Sequence, residues 1–140
     1  MHKFIVTASL AAISIVTVGS GALLTTASAD SGDGKLGCNT YEICFSRDLA
    51  NTTHQKHFYN SANHDNYTFT NVSTGASNTG ALEDNAAQVR NRDGSCDVKV
   101  IDWNGALPSV TQTVANNGAW KALKDGVINQ NNEHQRVNCG

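Results

Sequence analysis

Four cysteines are the residues of this 140-residue chain with the clearest capacity for chemistry. Cys38, Cys44, Cys96 and Cys139 permit three pairings that sequence does not distinguish. Spacing favours a short bridge between Cys38 and Cys44, because the intervening residues 39–43 combine a turn-forming pair with a β-type segment, and this leaves Cys96 to bond with Cys139. No two cysteines are separated by only two residues, so structural disulfides are favoured over a zinc site or a thiol nucleophile.

A histidine-rich stretch is the second feature with ligand chemistry. His54, His57 and His64 stand close in sequence, and imidazole suits zinc. A predicted strand at 57–59 would, if extended, point His54 and His57 to opposite faces, and no His-Glu-x-x-His motif occurs. We expect solvated surface histidines.

Catalytic constellations are the third possibility. A hydrolase needs a nucleophile with a positioned base, or a pair of carboxylates in a cleft. Glu42, Glu83 and Glu133 are scattered, and no Gly-x-Ser-x-Gly motif is present. The sequence therefore predicts no catalytic residue and a protein that is not an enzyme.

The N-terminal segment is typical of an exported protein. Residues 1–29 contain Lys3, an apolar run from Phe4 to Leu24 and a terminal Ala-Ser-Ala, which together predict a secretory signal peptide, with a membrane anchor as the alternative. Residues 30–37 read as a flexible lead-in and 38–140 as one domain. Beyond the leader, the slightly acidic charge balance and the lack of a long apolar run argue against nucleic-acid binding and membrane insertion.

Short alternating apolar runs predict an all-β domain. Asn-, Asp- and Gly-rich clusters separate these runs, Asp93-Gly94 is a hairpin candidate, and no segment makes a convincing amphipathic helix. Trp103 and Trp120 are expected to lie mainly in the core. The predicted strands cover residues 41–45, 57–59, 67–72, 87–89, 97–103, 111–114 and 135–137.

An internal similarity suggests two related halves. Residues 81–91 align with 122–132, since both begin Ala-Leu, continue with a charged residue and Asp, and reach a short apolar pair. Chance similarity over so short a window is the alternative. Two repeated Greek keys, each closed by the same acidic loop and a final strand, would explain the pattern physically.

Four segments of the chain form a further pattern: a Cys pair around a short hairpin at 37–45, an Asn/Asp-rich loop and strand at 82–91, and closing segments at 123–127 and 134–139. In these segments the chain resembles the βγ-crystallin superfamily, in particular its secreted actinobacterial peptidase inhibitors. The resemblance implies a monomeric, antiparallel two-Greek-key β-sandwich without an active site. It also implies a secreted binding protein that inhibits an extracellular peptidase of the metalloproteinase type.

An inhibitor of this kind needs an exposed, rigid loop. The candidate segment comprises Ser95, Cys96, Asp97 and Val98. The alternative function is a structural or toxin-like extracellular domain that has the same fold and no inhibitory activity.

The resemblance further raises the question of a Ca²⁺ site, since hard oxygen ligands mark the superfamily. Asp84, Asn85 and Asp125 are the candidate ligands. The serine positions of the pattern are occupied by Ala87 and Ile128, neither of which can coordinate a cation. We therefore expect Ca²⁺ binding to be weak or lost, with no other cofactor.

Overall fold

The structure is a computed structural model that describes Gly32 and residues 37–50, 52–105, 107 and 109–140. The predicted signal peptide at 1–29 and most of the lead-in lie outside the described residues. Gly32 is held beside the sheet, because its N–H donates to the His57 carbonyl at 2.8 Å. Within the described part of the chain, no helix has the length and apolar character needed to cross a membrane.

The described chain is all-β, as predicted, and its strands pair antiparallel in two sheets. One sheet has the order β4-β2-β1-β5-β8 and the other β3-β9-β6-β7. The nine strands are β1 (Ile43–Ser46), β2 (His54–Phe58), β3 (Ala62–Asn63), β4 (Thr70–Asn71), β5 (Gln88–Asn91), β6 (Asp97–Asp102), β7 (Val110–Val114), β8 (Trp120–Ala122) and β9 (Glu133–Val137).

The predicted strands coincide with seven of these elements, with shifted ends. Sequence patterning missed β3 and β8, which are only two and three residues long and lie in polar surroundings. The hairpin predicted at Asp93-Gly94 is wrong, because β5 and β6 belong to different sheets and this turn carries the chain from one sheet to the other.

The two sheets have equivalent strand orders. In the first sheet β5 lies between β1 and β8, and in the second β9 lies between β6 and β3. Each half of the chain therefore places its third strand, β3 or β8, in the sheet that the other half builds. Only β4, on the outer edge of β2, has no counterpart.

Reciprocal hydrogen bonds mark the equivalence residue by residue. The Asp84 N–H donates to the Asn131 carbonyl at 3.1 Å, and the Asn129 N–H donates to the Ala86 carbonyl at 2.9 Å. Asp84 and Asn129 also share a left-handed conformation, with φ of 57° and 55°. Asp84 is thus equivalent to Asn129, and the predicted alignment of Asp84 with Asp125 is wrong, because seven residues separate Asp125 from β9 whereas three separate Asp84 from β5.

Side chains from both sheets share one core. Phe45 and Phe58 in the first sheet, Val98 and Val100 in the second, and Phe69 in a connection are buried together. Trp103 is 54% exposed and Trp120 is partly exposed, so the expectation that both tryptophans are core residues is wrong. Trp103 lies just after β6 ends, and phenylalanines fill the space between the sheets instead.

Both disulfides have the pairing that spacing favoured, Cys38–Cys44 and Cys96–Cys139. In the chain-entropy treatment the short loop contributes about 2 kcal/mol to stability and the long loop about 4 kcal/mol. The long disulfide joins the segment that precedes β6 to the segment that follows β9. It therefore closes the second half of the chain on itself.

Candidate functional site

An exposed tyrosine lies on the turn closed by the first disulfide. Tyr41 is 66% exposed and has φ of 73°, in the left-handed region that non-glycine residues seldom adopt. Its N–H donates to the Arg92 carbonyl at 2.8 Å, and the Arg92 guanidinium donates to the Cys38 carbonyl at 2.6 Å. The turn is thus fixed by a covalent bond and by two hydrogen bonds to the neighbouring segment.

A buried carboxylate holds the adjacent turn. Asp93 is 3% exposed, and its Oδ1 accepts the N–H groups of Ser95 and Cys96 at 3.0 and 3.2 Å. Its other oxygen accepts from Arg136 Nε, and Arg136 Nη2 reaches Oδ1 at 3.2 Å. Burial alone would raise the pKa of Asp93, but the hydrogen bonds from Arg136, Ser95 and Cys96 outweigh it and lower the pKa below its ordinary value.

The glycine in this turn permits close packing against Tyr41. A methyl group added at Gly94 would lie 2.8 Å from Cε1 of the Tyr41 ring, which is closer than van der Waals contact allows. The small residue therefore lets the aromatic ring rest on the backbone of the second turn.

These two turns border an open cleft of about 370 Å³. Ser95 is exposed at its rim, and its carbonyl accepts the Gly140 N–H at 3.1 Å, so the C-terminal segment also fixes the rim. We call this surface the tyrosine cleft. Its lining residues are Tyr41, Tyr59, Asp93, Gly94, Ser95 and Arg136.

The inhibitory segment expected from the sequence is only partly exposed. Ser95 faces solvent, but Cys96 is buried in its disulfide and Val98 is fully buried in the core. Asp97 begins β6, where its carboxylate accepts from the Asn138 amide at 3.0 Å and the Asn116 N–H at 3.2 Å. Val98 and Cys96 therefore cannot contact a partner, and the exposed part of this region is Gly94-Ser95.

Sequence reasoning missed Tyr41, Tyr59 and Arg136 as neighbours of Ser95. Tyr41 could have been predicted, because it is the central one of the five residues between Cys38 and Cys44. Arg136 is 43 residues away from Asp93 in sequence. Only the pairing of β9 with β6 brings these two residues together.

The Ca²⁺ candidates lie in two separate turns. Asp84 and Asn85 share one turn, in which Asp84 accepts from the Asn132 amide at 3.2 Å and the Asn85 amide donates to the Glu83 carbonyl at 2.7 Å. Asp125 lies in the turn after β8. In the described residues, the one group of three close cysteine, histidine or acidic side chains is Cys38, Glu42 and Cys44, and its cysteines are joined to each other.

The three histidines between residues 54 and 64 do not form a common site, and two of them are not on the surface. His57 is nearly buried, with Nδ1 3.5 Å from the Glu42 carboxylate and Nε2 2.8 Å from Gln55 Oε1. His64 is fully buried. The expectation of surface histidines thus fits only His54, which is partly exposed 3.5 Å from Asp48.

His64 instead meets His134, a contact that sequence reasoning did not foresee. His64 Nε2 lies 2.9 Å from His134 Nδ1 in the core.

Comparisons of the chain with protein-family models, with curated proteins and with solved structures found no match.

Proposed function

We propose that this chain is a secreted binding protein with a βγ-crystallin-like, two-Greek-key sandwich fold, and that it inhibits an extracellular peptidase through the tyrosine cleft. The strand order supports the fold. β1 and β2 form a hairpin, β3 leaves for the other sheet, and β5 returns beside β1. The strands β6, β7, β8 and β9 repeat this course, and in both halves the last strand returns beside the first, as in a Greek key.

One observation carries the functional proposal: an exposed edge, Tyr41 with Gly94-Ser95, is held from several sides. The Cys38–Cys44 disulfide fixes the first turn, while the Asp93 hydrogen bonds and the Cys96–Cys139 disulfide fix the second. A surface that is already ordered loses little conformational entropy when it binds. This is the physical requirement for a tight inhibitor that is not cleaved and released.

The exposed edge has the chemistry needed to bind in the extended substrate groove of a peptidase. The Ser95 hydroxyl is exposed and can donate or accept a hydrogen bond. Tyr41 offers a large aromatic surface with only two rotatable side-chain bonds, which is typical of residues that dominate binding energy. The metalloproteinase class of the partner follows from the family resemblance.

The disulfides are consistent with export. Disulfides persist in oxidising compartments and are rare in reducing ones, and all four cysteines of the chain are paired. Together with the predicted signal peptide, they support an extracellular location and an extracellular partner.

A toxin-like or structural extracellular domain is the second candidate function. It is favoured by the loop that follows β6, where Trp103 and Leu107 are both more than half exposed. Large apolar side chains at a loop tip are available for contact with a cell envelope. Growth inhibition of competing microbes by the purified protein, lost in Trp103→Ala, would favour this function over peptidase inhibition.

The test of the proposal is a titration against peptidases. The protein, purified from the medium of a secreting host, is added to a thermolysin-type and a subtilisin-type enzyme, and residual activity is measured. We expect stoichiometric inhibition of the thermolysin-type enzyme at micromolar concentration or below, with the protein still intact afterwards. No inhibition of either enzyme would reject the proposal.

A further inference from the structure

Two buried histidines join the halves of the chain in the centre of the core. His64 follows β3, in the first half, and His134 belongs to β9, in the second. Both are at most 1% exposed, and the rings of Phe45 and Phe58 pack against both of them. We refer to His64 and His134 as the histidine pair.

The hydrogen bonds around the pair fix the position of every proton. Asn131 Oδ1 accepts the Ala86 N–H at 2.8 Å, which sets the orientation of the amide. The Asn131 amide nitrogen then donates to the Leu82 carbonyl at 2.9 Å and to His64 Nδ1 at 2.7 Å. His64 Nδ1 is therefore an acceptor, and the proton of this ring is on Nε2.

The contacts of His134 with Asn60 lead to the same assignment of protons. His134 Nε2 lies 2.8 Å from the Asn60 carbonyl, which can only accept, so Nε2 carries the proton of this ring. His134 Nδ1 is thus an acceptor for His64 Nε2–H. The result is a single chain of donors from Asn131 through both imidazoles to Asn60, complete only when both rings are neutral.

An added proton has no suitable place. On His134 it would enter Nδ1 and face the N–H of His64. On His64 it would enter Nδ1 and face the Asn131 amide, leaving as acceptor only the Asn131 carbonyl at 3.4 Å. Protonation of either ring therefore sets two donors against each other in a buried site.

The charged side chains near the pair do not stabilise a protonated ring. The charged and titratable side chains of the strands packed against the pair are His54, Lys56 and His57 in β2, Asp97, Lys99 and Asp102 in β6, and Glu133 and Arg136 in β9, the last of which is bound to Asp93. None of them shares a hydrogen bond with either imidazole among the described contacts, and the Lys56 amine lies over the Tyr67 and Phe58 rings. Glu42 and His57 face each other on the opposite side of the first sheet, away from Phe45.

We propose that the histidine pair is a pH-sensitive switch: it holds the two halves of the chain together while both rings are neutral, and acid opens the fold between β3 and β9. β9 also carries Arg136, which orders the tyrosine cleft through Asp93. Opening of β9 therefore removes the support of the cleft. This consequence for binding rests on the proposed function, whereas the switch itself does not.

The titration of the rings agrees with this geometry. Burial lowers the pKa of His134 from 6.5 to about 4, against the opposing effect of the Asn60 carbonyl. Burial and the neighbouring His134 lower the pKa of His64 well below 6.5, with the Asn131 carbonyl opposing. Because unfolding restores the ordinary values, the unfolded chain binds more protons, and stability falls as the pH drops from 6.5 towards 4.

The equivalence of the halves supplies the variant for the test. His134 stands opposite Val100 as Val89 stands opposite Phe45, and the N–H groups of His64 and Leu123 donate to the equivalent carbonyls of Asn132 and Ala87. The double variant His64→Leu/His134→Val thus gives each half the residue that the other half already uses. His54→Gln, at the partly exposed histidine, is the control.

The experiment is urea unfolding of the full protein at pH 7 and pH 4. From the shift of His134 alone, the unfolding constant of the wild type and of His54→Gln should rise on the order of a hundredfold more than that of the double variant. Equal rises in all three proteins would overturn the proposal.

A second measurement needs no variant. Ring ¹⁵N NMR of the wild type at pH 5.5 should show both imidazoles of the pair neutral, with the proton on Nε2. A charged ring, or the Nδ1–H form of either, would overturn the proposal even if the double variant does not fold. Peptidase inhibition is not part of either measurement, so failure of the switch and failure of the proposed function are distinguishable.

Discussion

The ring of Tyr41 rests directly on Gly94, so closely that a methyl group on Gly94 would lie 2.8 Å from the ring. This contact joins the turn of the first disulfide to the turn that carries the chain between the sheets. Tyr41 is exposed and yet held in position because it packs on a backbone that is itself ordered by Asp93.

Gly94→Ala should displace Tyr41 without unfolding the domain. The added methyl group forces the exposed ring away from the turn, so the expected loss of stability is small, about 1 kcal/mol or less. Inhibition of the target peptidase should weaken at least tenfold. Gly75→Ala is the matched control, at a glycine outside the cleft lining. It should lower stability, because Gly75 has φ of 75°, and should leave inhibition unchanged.

Asp93→Ala should be the most damaging single change at the cleft. It removes the acceptor for the N–H groups of Ser95 and Cys96 and leaves Arg136 without its carboxylate partner, at a cost of about 2–4 kcal/mol. Chemical denaturation at pH 7 measures this loss. A loss below about 0.5 kcal/mol would show that these bonds do not stabilise the turn.

The pH dependence of this ion pair should lie below that of the histidine pair. The pKa of Asp93 is lowered from its ordinary value of 3.8, so its contribution to stability is complete above that pH and is lost as the pH falls through the folded-state value. Stability curves from pH 6 to pH 2 should therefore show a second decline below about 3.8 that is missing in Asp93→Asn. A decline of the same size in that variant would refute the assignment.

Removal of each disulfide should affect stability and inhibition to different extents. Replacing Cys96 and Cys139 by serine should cost up to about 4 kcal/mol, whereas replacing Cys38 and Cys44 should cost about 2 kcal/mol. The short disulfide nevertheless positions Tyr41, so its loss should weaken inhibition more than its effect on stability would suggest. Unfolding midpoints and inhibition constants of both double variants check this prediction. It would be contradicted if the variant that loses more stability also loses more inhibition.

Local features of this fold could be predicted from the sequence, and features set by long-range packing could not. The alternating apolar runs around Val98 and Val114 predict their strands, and the spacing of the cysteines favours the observed pairing. β3 has only two residues, and its place beside β9 is imposed by partners 70 and 72 residues away. Its pattern therefore carries too little signal.

The same limit applies to the site. Of the candidate inhibitory segment, Ser95 lies at the rim of the cleft, whereas Val98, the second residue of β6, faces the core. The sequence predicts a surface position for His64, which lies between the polar residues Asn63 and Asp65. Its burial depends on Asn131 and His134, which satisfy both of its ring nitrogens and are far away in sequence.

The most direct test of the central claim compares two exposed residues at opposite ends of β1. Tyr41 precedes this strand at the tyrosine cleft, and Leu49 follows it. The inhibition constant against the thermolysin-type peptidase should rise at least tenfold for Tyr41→Ala and stay within twofold for Leu49→Ala. Unchanged inhibition by Tyr41→Ala, or loss of inhibition with Leu49→Ala alone, would contradict the account.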